Sequence, residues 1–153
     1  MTASIRTAAG EADLALVWEV RRAVFVVEQH VPEELEWDEY DATSVHLLAL
    51  AEDGAALGTA RLIFGEQAWK ETGGVAGRVL LGRLAVVEAA RGTGLGARLV
   101  RAIEAEARER GAVEVELHAQ VRALGFYERL GYVAEGPVYD SVGIAHRMMT
   151  RTL

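Results

Sequence analysis

The residues best suited to chemistry in this chain form a glycine-rich segment, Arg91-Gly92-Thr93-Gly94-Leu95-Gly96, directly before a stretch with helical periodicity. Its three glycines let the backbone approach a ligand closely and direct several N–H groups to one point. The positive end of the helix dipole favours an anion there, and Arg91 adds a charge with bidentate reach. A helix cap needs fewer glycines than this, so the segment, here called the phosphate loop, predicts a phosphate-binding site.

Two other classes of phosphate-binding protein compete for this segment. Residues 92–97 also satisfy the G-x-G-x-x-A pattern of dinucleotide-binding proteins, with Glu114 or Glu116 about twenty residues further on. Two features argue against an NAD(P)-binding oxidoreductase. Residues 88–91 separate the preceding strand from the first glycine, and too little chain follows for a doubly wound sheet. A Walker A loop would need Lys-Ser or Lys-Thr after the glycines, which this chain lacks. The oxidoreductase stays as an alternative.

The sequence lacks the residues that several other catalytic mechanisms require. The chain has no cysteine, which excludes disulfides, thiolate metal sites and cysteine nucleophiles. Its four histidines show no H-E-x-x-H spacing, so we expect no metal. Its serines lack the G-x-S-x-G elbow of a serine hydrolase. Any group transfer would therefore be direct or would use a nucleophile other than cysteine.

The phosphate loop and a later segment together resemble the GNAT superfamily of N-acetyltransferases. Leu84-Ala85-Val86, then four residues, then the phosphate loop resemble the acetyl-CoA motif of that family, and residues 126–132 (FYERLGY) resemble its later signature. The resemblance covers nearly the whole chain. Three further segments are similar to the ElaA-like branch: 24–29 (VFVVEQ), 117–120 (LHAQ) and 143–146 (GIAH). Gln120 and Ala145 depart from the relatives, which often have asparagine and proline there.

The resemblance implies an enzyme that transfers an acetyl group from acetyl-CoA to an amine acceptor in a ternary complex. Backbone groups of residues 84–86 would pair with the pantetheine arm and polarise the thioester carbonyl, and amides of the phosphate loop would hold the diphosphate. The expected cofactor-binding residues are Leu84, Ala85, Val86, Arg91, Gly92, Thr93, Gly94, Leu95, Gly96, Gln120 and Phe126. A CoA-binding regulatory module without turnover is the other function that these motifs allow.

Tyr127 matches the family position of the general acid. A phenol with a pKa near ~10 can donate a proton to a thiol-type leaving group with a pKa near ~8.5. Leu124, Tyr127 and Leu130 also fall on one helical face. The alternative interpretation is therefore that the Tyr127 ring serves only in packing.

A lysine-like acceptor amine, with a pKa near ~10.4, arrives protonated and must lose a proton before it attacks. His118 and Glu28 are the candidate bases. We expect His118 at the carboxyl end of a parallel strand, where ligands bind in such sheets. A structural histidine and a solvated surface acid are the alternative interpretations of these two residues.

Residues 23–60 contain no lysine or arginine but nine acids. The acids are Glu28, Glu33, Glu34, Glu36, Asp38, Glu39, Asp41, Glu52 and Asp53. Such a segment attracts cations, which predicts an amine or polyamine-like acceptor near residues 28–46. A solvated acidic face is the other interpretation.

The candidate site residues need a fold that brings the middle of the chain together with residues 118–127. Hydrophobic periodicity and turn signals predict a series of elements along the chain. These are a strand at 4–7, a helix at 11–28, a short helix and loop around Pro32, a hairpin of 46–52 and 55–64, a loop at 65–77, a strand at 79–87, a helix at 93–110 ended by Gly111, a strand at 113–119, a short helix at 121–130 and strands near 132–138 and 146–152. Strand, helix and strand from 79 to 119 predict a parallel, right-handed crossover. The fold class is α/β (α+β), with the GNAT fold that the resemblance implies: a mixed central sheet flanked by helices, in a single domain over residues 1–153.

Composition sets the remaining expectations. A net charge of −7 argues against nucleic acid as a partner, and no apolar run approaches the ~18 residues of a membrane span. Without a secretory signal at the start, we expect a cytoplasmic protein. Lys70 is the only lysine among 16 basic residues, which is typical of a GC-rich bacterial genome. An edge strand at the carboxyl terminus would allow a homodimer.

Overall fold

The fold is built on one seven-stranded mixed sheet, described for residues 2–153 by a computed structural model. The strands are β1 (Ser4–Thr7), β2 (Val45–Leu50), β3 (Ala56–Ile63), β4 (Arg78–Val86), β5 (Glu114–Gln120), β6 (Val133–Ser141) and β7 (Ile144–Thr152). The helices are α1 (Gly10–Arg21), continued by a π-helix (Arg22–Glu28), then α2 (Glu33–Glu36), α3 (Gly65–Glu71), α4 (Leu95–Glu109) and α5 (Leu124–Arg129). Short 3₁₀ turns cover Glu39–Ala42, Glu88–Ala90 and Val121–Ala123. None of the helices in residues 2–153 combines the length and apolar character needed to cross a bilayer.

The strand order is β1-β2-β3-β4-β5-β7-β6, and β4 and β5 form the parallel pair. They are joined through α4, so the parallel strand-helix-strand unit expected from the sequence is confirmed. All other neighbours are antiparallel. The parallel pairing is short: it joins Arg78–Leu80 to Glu114–Glu116, although β4 continues to Val86 and β5 to Gln120.

Each face of the sheet is covered by different helices. The amphipathic helix α4 buries Leu95, Leu99 and Ile103 against one face, where they join Leu62, Leu81, Val115 and Leu117 in the main core. On the opposite face, Val17 of α1 packs on Leu48, and Ala68 of α3 packs on Ile63 and Leu80. Because side chains alternate along a strand, β5 presents its apolar residues to α4 and its polar ones to the opposite face.

A buried arginine cluster fixes α1 against the sheet. The Arg21 side chain has no exposed surface, lies within 5.1 Å of the Trp18 and Trp37 ring centroids, and donates to Glu36 (2.7 Å) and Asp41 (2.6 Å). Arg61 and Arg83 complete the cluster: Arg61 pairs with Asp38 and Asp41, and Arg83 with Asp38 and Glu36. The ion pairs run between elements that are distant in the sequence.

This cluster corrects the expectation of an acidic, cation-attracting segment at residues 23–60. Glu36, Asp38 and Asp41 are paired with arginines that lie outside that segment. Glu28 and Glu33 are paired as well, with Arg91 and Arg22. Ion pairs therefore offset five of the nine acids counted along this segment.

Two element predictions are wrong. The predicted loop at 65–77 begins with α3, which is too short for a clear period and is followed by glycines at 73 and 74. The expected edge strand at the carboxyl terminus is β7, which lies between β5 and β6, because the β6–β7 hairpin inserts its second strand beside β5. The edge strand at that side of the sheet is β6. The predicted helix at 11–28 is confirmed, with a π-helical last part.

Replacement of Arg21 tests the cluster. We expect Arg21→Leu to lower the free energy of unfolding by about 3–5 kcal/mol, because Glu36 and Asp41 would lose a buried cation. The matched control is Arg22→Leu, since the Arg22 side chain is 59% exposed and pairs with the exposed Glu33. That change should cost less than about 1 kcal/mol. Urea unfolding measures both, and equal losses would contradict the assignment.

Candidate functional site

A cleft opens where β4 and β5 part. It has a volume of about 1160 Å³ and is lined on one side by Leu80–Val86 and on the other by Leu117–Gln120. A β-bulge accompanies the parting: Arg83 has φ +49°, and the register of β4 against β3 shifts there. A bulge bends its strand and increases the twist, which accounts for the divergence of β4 from β5. The strand edges that face each other across the cleft leave main-chain groups for a ligand.

The phosphate loop closes one end of the cleft. Gly92 and Gly94 have φ +77° and +84°, a conformation that costs other residues strain, and α4 begins at Leu95. Arg98 N–H donates to Gly94 O at 3.1 Å. The N–H groups of residues 95–97 precede it in the first turn of α4, where backbone N–H groups have no acceptor within the helix. A Cβ at either glycine would meet no atom within 4 Å, so backbone conformation is what requires glycine. The site fits an anionic group at a helix N-terminus.

Arg91 is held at the loop by two hydrogen bonds. Its Nε donates to Val86 O at 3.0 Å, and Nη2 donates to Glu28 Oε1 at 2.7 Å. The hydrogen bond from Arg91 lowers the pKa of Glu28 below its ordinary value. Glu28 is therefore an ion-pair partner of the loop, an arrangement that disfavours it as a proton acceptor at neutral pH.

Phe126 and Tyr127 lie on α5 beside the start of α4. A Cβ at Gly96 would lie 3.3 Å from Phe126 Cζ, so glycine there lets the ring pack against the loop. The two rings are T-shaped with centroids 4.9 Å apart. Tyr127 is 8% exposed and lines the cleft, and burial raises its pKa above the ordinary value of a phenol. Its hydroxyl keeps its proton across the neutral range.

His118 stands on the β5 side of the cleft, with both ring nitrogens engaged. Nε2 lies 2.8 Å from Glu116 Oε2, and Nδ1 is hydrogen-bonded to Tyr139 Oη. Gln120, next on the same face, donates to Gln29 Oε1 at 2.8 Å and accepts from Arg122. These contacts tie β5 to the π-helix end and to the β6–β7 hairpin.

At the end of the cleft farthest along β4 from the phosphate loop, α3 contributes Glu71. The Tyr40 hydroxyl donates to Glu71, and this hydrogen bond raises the pKa of Tyr40 to about 12. Asp38, Arg61 and Arg83 of the buried cluster line the same part. This end of the cleft is polar and contains both carboxylates and arginines.

The structure brings nearly all of the sequence-predicted site residues to the cleft. Those that line it are Glu28, Leu84, Ala85, Val86, Arg91, Gly92, Gly94, Leu95, Gly96, His118, Gln120, Phe126 and Tyr127. Thr93 does not line it, because its hydroxyl turns back to donate to Ala90 O at 2.6 Å. Tyr139 and Arg83 were missed, since neither lies in a motif. Only the positions of β6 and of the bulge bring them there.

The acids considered for a dinucleotide ribose are engaged elsewhere. Arg78 donates to Glu114 at 2.6 Å and to Glu116 at 3.1 Å. The sheet is largely antiparallel, unlike a doubly wound sheet. The arrangement does not favour an oxidoreductase. Within residues 2–153, no three His, Asp or Glu side chains are grouped as a metal site would need.

Comparison with known proteins agrees with this geometry. The family described as acetyltransferase (GNAT) domain matches residues 7–153. The uncharacterized protein YyaT of Bacillus subtilis is 34% identical over 98% of this chain and 96% of its own, and ElaA of Escherichia coli is 30% identical over 87% and 83%. The crystal structure of an acyl-CoA N-acyltransferase from Pseudomonas aeruginosa superposes with a TM-score of 0.80 at 33% identity, covering 98% of both chains. The E. coli ElaA structure gives 0.83 at 25% identity, covering 98% of this chain and 99% of that one. With its divided sheet and its phosphate loop before α4, the chain belongs to the GNAT acetyltransferase family.

Proposed function

We propose that this protein is an acetyl-CoA-dependent N-acetyltransferase that transfers the acetyl group directly to an amine in a ternary complex. The observation that carries the proposal is the parting of β4 from β5 beside the phosphate loop. One cleft thereby joins an anion site, a free strand edge and a buried phenol. The amine nitrogen forms a bond to the thioester carbonyl carbon, the carbon–sulfur bond breaks, and the thiol of CoA leaves.

The donor half of the cleft is built from main-chain groups. The amides from Gly92 to Gly96 suit the diphosphate, since they point from a helix N-terminus. β4 is paired on its other side with β3, through Val86 with Gly58 and Ala85 with Thr59. Its opposite edge at residues 84–86 faces the gap. Val86 O accepts from Arg91 Nε there, and the remaining main-chain groups suit the pantetheine arm and the carbonyl oxygen of the thioester.

Tyr127 is the proposed general acid. The ring lines the cleft, and burial raises its pKa, which keeps the proton on the hydroxyl until a thiolate forms beside it. A hydrogen bond to that sulfur stabilises the negative charge as the bond breaks.

The proposed acceptor is a small-molecule or peptide amine, bound on the face of the sheet opposite α4. Leu80 and Ile63 form an apolar part of that region, and Tyr40 and Glu71 close its end. The arginines there offset the acids, so we base the acceptor class on the reaction and not on attraction by a negative segment.

The direct test is thiol release from acetyl-CoA in the presence of alkyl amines, polyamines and small peptides. The chain has no cysteine, so a thiol reagent reports only the CoA that is released. We expect release that depends on one class of amine. A protein that is stabilised thermally by acetyl-CoA but releases no thiol with any amine would instead be a non-catalytic CoA-binding module.

Gly94 tests the anion site. Gly94→Ala forces a left-handed alanine, which costs about 1–2 kcal/mol, so we expect acetyl-CoA affinity to fall about 5- to 30-fold as the loop relaxes. Gly54→Ala is the matched control, because Gly54 has φ +88° in the β2–β3 turn and equally free space around it. Calorimetry should show weaker acetyl-CoA binding only for Gly94→Ala. Equal affinities would contradict the assignment of the loop.

Tyr127→Phe tests the general acid. We expect kcat to fall about 10²- to 10⁴-fold with unchanged acetyl-CoA affinity, because only the proton donor is removed. The control is Tyr132→Phe, a neighbouring buried tyrosine whose hydroxyl donates to Glu104 at 2.9 Å. That variant should lose stability but keep kcat. Full turnover by Tyr127→Phe would exclude the role.

A further inference from the structure

The hydrogen bonds of His118 leave it no free nitrogen for a substrate. Glu116 can only accept, so the ring proton lies on Nε2 in the neutral imidazole, and Nδ1 is the acceptor. The partner of Nδ1 is the hydroxyl of Tyr139, which must therefore donate. Both side chains line the cleft, and of the two the Tyr139 hydroxyl oxygen is the one that can still accept a hydrogen bond from an amine.

The register of three strands makes this contact. Tyr139 on β6 pairs with His146 on β7, which pairs with Gln120 on β5. Paired residues share a face, so Tyr139 lies on the same face as His118 and Gln120. Its ring stacks on His146 at 24° and meets the His118 ring edge-on at 72°. Tyr139 lines the cleft and is 39% exposed, so its hydroxyl is within reach of a ligand.

Glu116 is the buried end of this chain of hydrogen bonds. Its side chain is 5% exposed, and its two oxygens are occupied separately, Oε1 by Arg78 and Oε2 by His118. Burial favours the neutral acid, but the hydrogen bonds from His118 and Arg78 outweigh it and lower the pKa of Glu116. Burial, with the charge of Glu116, raises the pKa of Tyr139. A carboxylate at this position stabilises a positive imidazole.

We propose that Tyr139, His118 and Glu116 form a proton relay that deprotonates the acceptor amine, with Tyr139 as the catalytic residue that contacts it. This inference rests on the proposed acetyltransferase function. The ammonium proton passes to Tyr139 Oη while the Tyr139 proton passes to His118 Nδ1. Tyr139 ends neutral, His118 ends as an imidazolium beside Glu116, and the amine attacks as a neutral nucleophile. Glu116 and Arg78 are positioning residues.

Four charged or titratable groups face His118 directly or through one neighbour. Glu116 lies on the same strand, Tyr139 approaches from β6, His146 stands behind Tyr139, and Arg78 of β4 holds Glu116. An imidazole that already carries a proton on Nδ1 cannot accept another, so the relay works only with the neutral His118 ring. The relay therefore predicts an acid limb in the pH profile of kcat/KM.

The test is Tyr139→Phe, which keeps the ring and removes the hydroxyl. With an alkyl amine that arrives as an ammonium ion, kcat/KM should fall about 10²-fold and the acid limb should change. With a weakly basic amine that is already neutral at the assay pH, the loss should shrink to a few-fold, because less proton transfer is needed. Glu116→Gln should shift the acid limb while acetyl-CoA affinity stays as in the wild type.

The matched control is Tyr132→Phe, the same change at a tyrosine outside the cleft lining, whose hydroxyl donates to the carboxylate of Glu104 and not to a histidine. It should keep the acid limb and show the same ratio for the two amines as the wild-type protein. If Tyr139→Phe keeps full activity and an unchanged acid limb, or loses activity equally with both amines, the relay is wrong while the acetyltransferase stands. Absence of thiol release from the wild-type protein would overturn both.

Discussion

The parting of β4 from β5 is the constraint on which the site depends. Three residues of each strand pair in parallel, and the strands then diverge while both continue to the level of the phosphate loop. Backbone N–H and C=O groups are rarely left without partners, so two facing strand edges inside a sheet favour a ligand that can pair with them. The same opening connects the α4 face of the sheet, where the core lies, with the polar face beside α1 and α3.

The buried arginine cluster supports this opening at a distance. Arg83 holds a left-handed backbone that costs a non-glycine residue about 1–2 kcal/mol, and its side chain is anchored by Glu36 and Asp38. Arg21 and Arg61 hold those acids in turn. Thus the segment between α1 and β2, which reads as a run of exposed acids, fixes the bulge that turns β4 away from its neighbour.

Tyr127 and Tyr139 line the cleft from different elements of the fold. Tyr127 enters from α5 beside the phosphate loop, where burial keeps a phenol protonated. Tyr139 enters from the edge hairpin, where it hydrogen-bonds to an imidazole backed by a carboxylate. In the proposed reaction, Tyr127 gives a proton and Tyr139 accepts one.

The sequence by itself determined what depends on neighbouring residues. The glycines of the phosphate loop, the periodicity of α4 and the Asp53-Gly54 hairpin are local signals, because dihedral preference and amphipathicity act over a few positions. They sufficed to locate the phosphate loop and most elements. The tertiary structure alone decided the partners of charged and polar groups. Glu28 joined Arg91, the acids of residues 36–41 met distant arginines, and Tyr139 reached His118, since ion pairs and strand register form between segments that the chain separates by 15 to 63 residues.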